Sequence, residues 1–297
     1  MPATIDHAIS PLTAQDIAFY REHGWIITPR VLDDRLIQEA LQGLEEHWAG
    51  HRDRVLPGAG QHFVDWMPGD SEGVRNNEFL SLQNDRVRRF VASPVIAAMA
   101  GSLTGSAEVR LFDDQIFVKP AGGTNAVIGW HVDQDYWGTC SSNELLTAWI
   151  PLHDCPEELG PLVVLDGSHK WSHKLDRTAL SVHRLDTGAL EGQVNQLGYE
   201  YKPVTMTLKR GQFSFHNCRT IHGGYPNRGT RPRIAVALHL QDKDNSYRPA
   251  FRPDGRRVQS FHDMICRKTP AGVPDYTDEA VFPALWRLAD DKLAVGA

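Results

Sequence analysis

Apolar and polar residues alternate along this chain with two different periods, and the change of period divides it. In the first hundred residues the spacing is helical. Leu36, Ile37, Ala40, Leu41, Leu44 and Trp48 fall on one face at 3.6 residues per turn, behind Asp33 or Asp34 as N-cap, which predicts a helix packed against the rest of the chain. Thr13 caps a shorter helix that Gly24 stops, and Ser93 followed by Pro94 opens a third over VIAAMAGSLTG. Between the first two, WIITPRVL reads as a strand. From about residue 107 the texture changes to short strand-like runs: VRLFDDQIFVKP, AVIGWHVDQDYW, LLTAWIPLHD, PLVVLDGSH, YKPVTMTLKRGQFSFHN and RIAVALHLQ. Glycine, proline, asparagine and aspartate stand between them, as antiparallel connections require.

The regular strand–helix alternation of a parallel sheet is absent. The expected fold is therefore mainly β with helical decoration, an antiparallel barrel or jelly roll (a double-stranded β-helix) with the N-terminal helices packed against it. A single domain is expected over residues 1–297. Its helical part runs to about 105, its jelly-roll core spans about 107–245, and a C-terminal extension covers about 246–297. That extension carries Arg248, Arg252, Arg256 and Arg257, read as a solvated face, and ends in DEAVFPALWRLADDKL, read as one more helix.

Composition narrows the function classes. The 297 residues hold 31 basic and 37 acidic side chains, a net charge of −6. That balance lacks the basic surplus with which proteins grip nucleic acid, so neither a nucleic-acid nor a membrane partner is expected. Cys140, Cys155, Cys218 and Cys266 form no CxxC pair and no small disulfide framework, and free thiols in a reducing compartment are expected. MPATIDHAIS lacks the basic and apolar regions of a signal peptide, and no apolar run is long enough to span a bilayer; a cytoplasmic location follows as the expectation.

Chemistry concentrates in GWHVDQDYW. On a strand or strand end, His131 and Asp133 lie two apart and point to the same side. Two histidines and one carboxylate on one face of an octahedron make the facial triad of non-haem iron oxygenases. A second histidine must come from GQFSFHNCRTIHGGYPNRGTRPRIAVALHLQ, which offers His216, His222 and His239. His222 fits best, because two glycines and a turn-rich loop follow it and lead to a strand bearing Arg233. An arginine on a neighbouring strand can clamp the far end of a dicarboxylate through a bidentate pair. His216 has no basic residue at that offset, and His239 reads as a core or hydrogen-bonded residue.

With these residues in view, the chain resembles the phytanoyl-CoA dioxygenase family of Fe(II)- and 2-oxoglutarate-dependent oxygenases. The resemblance rests on EHGWIITPRVLDD with its following helix, on HVD, on GPLVVLDGSHK at 160–170 and on HGGYPNRGTRPR at 222–233. It implies iron held by His131, Asp133 and His222, which are also the catalytic residues, with 2-oxoglutarate bound by Arg233. It implies that Trp149 lines the cosubstrate pocket and that Gln115, or its neighbour Ile116, approaches the oxoglutarate. O2 is the co-reactant, a small molecule the substrate, and succinate and CO2 the products; hydroxylation, or another oxidation at a C–H bond, is the expected reaction, and secondary metabolism its expected setting.

The chain departs from the family in three places. Asp166 stands where proline is usual. Gly224 stands where many members have a serine that offers its hydroxyl to oxoglutarate, so that contact must come from elsewhere. The family's upstream basic residue has only Arg75 as a candidate. Asp133 itself disfavours halogenation, since halogenases of the family carry a small residue there. Two other readings of the same ligands are a metal-binding β-barrel without catalysis and a zinc hydrolase, since two histidines and a carboxylate also suit zinc with an open position. Gln134, Asp135, Tyr136 and Trp137 are read as candidates for the substrate mouth.

Overall fold

A computed structural model of the chain describes residues 10–56, 63–70, 73–123, 126–172, 175 and 180–288. Its N-terminal elements follow the capping signals. Thr13 and Asp16 form a reciprocal capping box at the start of α1 (Ala14–His23), and Gly24 ends it in the left-handed conformation at φ 77°. Strand β1 (Trp25–Ile27) is shorter than WIITPRVL, because Pro29 has no backbone N–H to give to a sheet and the chain bends at Arg30 and Leu32. Asp33 caps α2 (Asp34–Trp48), which buries Ile37, Ala40 and Leu44. Strand β2 (Arg75–Glu78) and helices α3 (Leu80–Gln83) and α4 (Asp85–Val91) come next. Pro94 sits at the first position of α5 (Pro94–Thr104).

The β region contains β3 (Glu108–Lys119), β4 (Ile128–His131), β5 (Leu146–Pro151), β6 (Leu162–Leu165), β7 (Pro203–Thr205), β8 (Ser214–Asn217), β9 (His222–Gly224), β10 (Arg233–Asp242) and β11 (Ala284–Arg287), with helices α6 (Thr187–Gln196) and α7 (Phe261–Ile265) between strands. Among the described residues these strands make two antiparallel sheets. The larger is ordered β1-β8-β5-β10-β3-β11, with β2 also on β3, and the smaller β4-β9-β6-β7. This is the jelly-roll arrangement the strand pattern led us to expect.

Strand alternation then decides what each sheet face does. On the larger sheet Ile116 and Val118 of β3, Ala148 and Ile150 of β5, and Val236 and Leu238 of β10 join one buried cluster with residues of α1, α2, α4 and α5. The opposite face of the same strands carries Gln115, Phe117, Thr147, Trp149, Arg233, Ala237 and His239, and these line a cavity. The helical layer thus backs the sheet, and the cavity opens between the two sheets.

Two expectations are corrected. The terminal segment read as a helix is strand β11, which pairs with Glu108–Arg110 of β3, while residues 289–297 lie outside the described part. Pro283 opposes a helix there, and pairing with β3 buries Trp286 against Gly101 of α5. The run from Tyr201 to Asn217 is two strands in different sheets, divided by a turn at Gly211 with φ 90°. Asp133 stands at the strand end, the second of the two positions expected for it: β4 ends at His131, and Asp133 opens a single 3-10 turn.

Asp166, the departure from proline, has a structural explanation. Its carboxylate accepts from His23 Nδ1 at 2.7 Å, Trp25 Nε1 at 2.9 Å and Lys202 Nζ at 2.7 Å. It ties the end of α1 and the start of β1 to the turn after β6. All four cysteines are free and buried, Cys140, Cys218 and Cys266 in one apolar cluster and Cys155 in another. No helix among the described residues is long and apolar enough to cross a membrane.

Candidate active site

Register brings the ligands together. Strand β4 pairs with β9 so that His131 and His222 are direct partners, and their ring centroids lie 4.1 Å apart. Val132 continues the extended backbone beyond β4 (φ −122°, ψ 138°), so Asp133 points to the same side as His131 although the strand has ended. Asp133 Oδ1 is 3.4 Å from His222 Nε2 and 3.8 Å from His131 Nε2. Ligand atoms of the three residues all lie within 4.8 Å of one another, the one such cluster of three among the described residues.

The donor set fits a metal in its chemistry as well as its spacing. His131 Nδ1 donates to Gly129 O at 2.8 Å and His222 Nδ1 donates to Thr220 O at 2.9 Å. Each bond fixes the tautomer and leaves the Nε2 lone pair facing the shared point, as metal-bound histidines are held. Asp133 Oδ2 is turned away and accepts from Thr147 Oγ1 at 2.7 Å, and Thr147 in turn bonds His239 Nδ1 at 2.8 Å. Burial works against the Asp133 carboxylate, but the neighbouring His222 and His216 outweigh it and hold the group well below the usual carboxylate range. Burial, together with His222, pushes His131 down to about 3, so its imidazole is neutral and able to bind a cation.

His216 is the near miss. Its Nε2 lies 3.3 Å from Asp133 Oδ2, but outside hydrogen-bond geometry, and its Nδ1 has no partner either. Nothing sets its tautomer, whereas both His131 and His222 are oriented. His239 is the hydrogen-bonded residue the sequence suggested, here bonded to a side chain that also holds Asp133.

The cavity measures about 460 Å³ in open space and is lined by the triad together with Gln115, Trp149 and Arg233. Arg233 is 1 % exposed, and its Nε and Nη1 have no hydrogen-bond partner. Its guanidinium lies 5.6 Å from the Trp149 ring centre, and burial lowers its pKa to about 10. Gln115 Nε2 donates to Glu78 Oε1 at 2.8 Å, which leaves its oxygen towards the cavity side at 3.4 Å from His239 Nε2.

Arg75 does not reach this site. On β2, Glu78 meets Gln115 on the cavity side, so Arg75, three residues earlier, faces the other way and stacks its guanidinium 4.5 Å from the Trp66 ring. The residue that sequence reasoning missed is Lys119. It shares the inward face of β3 with Gln115 and Phe117, and it is the register partner of Arg233. Alternation from Gln115 alone would have found it. Of the candidates for the mouth, Tyr136 is exposed and sets its edge on His131, while Trp137 is buried against Phe112 and His239.

Known proteins resemble this chain in sequence and in fold. The model of the family described as phytanoyl-CoA dioxygenase (PhyH) matches residues 20–235. Ectoine dioxygenase of Bordetella bronchiseptica is 25% identical over 248 residues, covering 80% of this chain and 78% of that protein. The peroxisomal phytanoyl-CoA dioxygenase of Mus musculus is 25% identical over 257 residues, covering 81% and 71%. Among solved structures, the non-haem α-ketoglutarate-dependent epimerase SnoN from nogalamycin biosynthesis superposes with a TM-score of 0.65 at 25% identity, over 91% of this chain and 97% of that one. EctD from S. alaskensis, solved with 2-oxoglutarate and 5-hydroxyectoine, gives 0.66 at 20% identity over 89% and 87%, a likeness of fold. With a match across most of its length, the chain belongs to the phytanoyl-CoA dioxygenase family of non-haem iron, 2-oxoglutarate-dependent dioxygenases.

Proposed function

We propose that the chain oxidises a C–H bond of a small organic molecule, hydroxylation being the first expectation, with iron held by His131, Asp133 and His222 and the far carboxylate of 2-oxoglutarate held by Arg233. One observation carries these assignments. Two histidines with fixed tautomers and a carboxylate converge at one point of a cavity that also receives a buried arginine with unpaired donors. Iron held by these residues would supply the oxidising power, with O2 as the oxidant, one of its oxygen atoms going to the substrate and the other to 2-oxoglutarate, which would leave as succinate and CO2.

The remaining work falls to the chain's own residues. Thr147 holds Asp133 by its outer oxygen and leaves the inner one for the metal. Trp149 gives the Arg233 guanidinium an aromatic face to rest against, which fixes its direction without consuming its donors. Phe117, Ile128 and Leu162 make the walls of the cavity apolar and exclude water around the reacting groups. Gln115 lines the cosubstrate side on this reading. A barrel that only binds metal, or a zinc hydrolase, has no use for Arg233, so both alternatives leave its burial unexplained. The two sheets and their helical layer are read as one domain, and a cytoplasmic setting is supported by the four unpaired thiols.

Anaerobic titration of Fe(II)-loaded protein with 2-oxoglutarate tests the proposal. A weak visible charge-transfer band is expected with the wild-type chain. It weakens in Arg233→Ala and is lost in Asp133→Ala or His222→Ala, which also lose iron. Iron binding with no band in the wild-type chain sinks the reading.

A further inference from the structure

The structure assigns Lys119 as the second cation of the cosubstrate pocket, a positioning residue that sets selectivity for a dicarboxylate; the inference rests on the reading of Arg233 given above. Lys119 is fully buried, which is rare for a lysine without a carboxylate partner. Its Nζ donates to Tyr225 O at 2.6 Å, to Gly224 O at 2.9 Å and to Gly160 O at 3.4 Å. Those three carbonyls take all three protons of an ammonium. Burial, and after it the neighbouring Arg233, push the Lys119 pKa well below the usual lysine value, but three carbonyl acceptors are one more than a neutral amine can serve, and they favour the ammonium without neutralising it.

Directly across the β3–β10 ladder stands Arg233, also fully buried. Among the described residues no carboxylate forms an ion pair with either group. Two uncompensated positive charges side by side in the interior are costly unless an anion joins them. Gly224 and Arg233 both line the cavity, so the place where that anion can sit is the Arg233 end of it. The geometry at Gly224 is specific to this arrangement. A β-carbon there would lie 2.7 Å from Lys119 Nζ, so the ammonium occupies the volume that a side chain at 224 would need. Because Gly224 ends the strand that carries His222, the bonds to Gly224 O and Tyr225 O also pin the backbone behind the second histidine.

With its protons committed to carbonyls, Lys119 acts through charge and through that backbone rather than by touching the cosubstrate. This separates its effect from that of a merely structural residue. A charge at the far end of the pocket should favour 2-oxoglutarate, which has a carboxylate there. It should matter little for 2-oxopentanoate, which has the same chain length and a methyl group at that end.

The test is anaerobic titration of Fe(II)-loaded wild type, Lys119→Met and Gly224→Ala with each keto acid, read by calorimetry and by the charge-transfer band, with folding checked by circular dichroism. In Lys119→Met the Kd for 2-oxoglutarate is expected to rise about tenfold, the effect of one unit charge about 10 Å away at an effective dielectric near 20. The Kd for 2-oxopentanoate should stay within about threefold of wild type on the same reasoning. Gly224→Ala, which displaces the ammonium while keeping the lysine, is expected to lose selectivity in the same direction, and it decides the matter if Lys119→Met does not fold. Equal weakening towards both keto acids would show a structural role and overturn the inference, as would unchanged affinities. If the wild-type protein binds iron but neither keto acid, the functional reading falls, and this one with it.

Discussion

At the scale of single residues, the metal site depends as much on what holds the ligands as on the ligands themselves. Thr147 is the clearest case, because one hydroxyl donates to Asp133 and takes a bond from His239. Thr147→Val keeps the shape and removes both bonds. Loss of such an outer bond typically costs about 10- to 100-fold in metal affinity. Competition of the variant with a chelator for Fe(II) should show that loss with the fold intact. A second residue reports on burial alone. Asp114 lies on the helix side of β3 and accepts from the Ser81 backbone N–H and hydroxyl, and burial, partly offset by those bonds, pushes its pKa up to about 6. The native state therefore holds this proton more tightly than the unfolded chain, whose carboxyl titrates near 3.8. The favourable contribution is complete below the unfolded value and is lost as pH rises through about 6. Asp114→Asn should accordingly gain on the wild-type chain between pH 4 and pH 7, by up to about 3 kcal/mol. Urea unfolding across that range would show the gap between the two proteins widening with pH; a constant gap would contradict it.

At the scale of elements, most of what the chain announced it also built, and the misses have physical causes. Caps made α1, α2 and α5 legible, because Thr13, Asp33 and Ser93–Pro94 are local signals that tertiary contacts did not have to override. The ligand strand, the second histidine and Arg233 were legible too, since each lies in a segment whose alternation fixes its direction. Strand β2, with the sequence RNNE, has no apolar alternation to read; Asn77 finds polar partners in Asp65 and Trp48, and Glu78 in Gln115. Lys119 was missed because a lysine on a strand ordinarily points to water, although its alternation with Gln115 turns it inward and its register sets it opposite Arg233. The terminal ALWR segment was taken for helix because its apolar residues suit either period, and only the unpaired edge of β3 decides between them. That edge gives a test. Trp286→Ala removes a buried ring from the joint between β11 and α5 and should cost about 3–5 kcal/mol. Thermal unfolding would register it, while the Fe(II) stoichiometry of the folded fraction stays unchanged.

Across the whole molecule, the apolar residues divide into a large cluster between helices and sheet and three smaller ones, of which the one holding Trp149 and Leu162 reaches the cavity. The C-terminal segment supplies Ile265, Cys266, Tyr276, Val281 and Phe282 to one of these, beside Phe112 and Trp137. It therefore completes the barrel rather than trailing from it, although its arginines at 248, 252, 256 and 257 remain in solvent as expected. The four thiols belong to this interior. Burial pushes Cys140 up to about 12 and Cys155 up to about 11, and it raises Cys218 and Cys266 as well. Only the thiolate attacks a disulfide reagent, so in the native protein these groups are withheld twice, by access and by ionisation. The chain consequently carries its own unfolding clock. Ellman's reagent should leave native protein almost unlabelled and should titrate four thiols once urea opens it. In dilute urea the labelling rate would then time how often an enzyme that works with iron and oxygen lets its sulfur be reached.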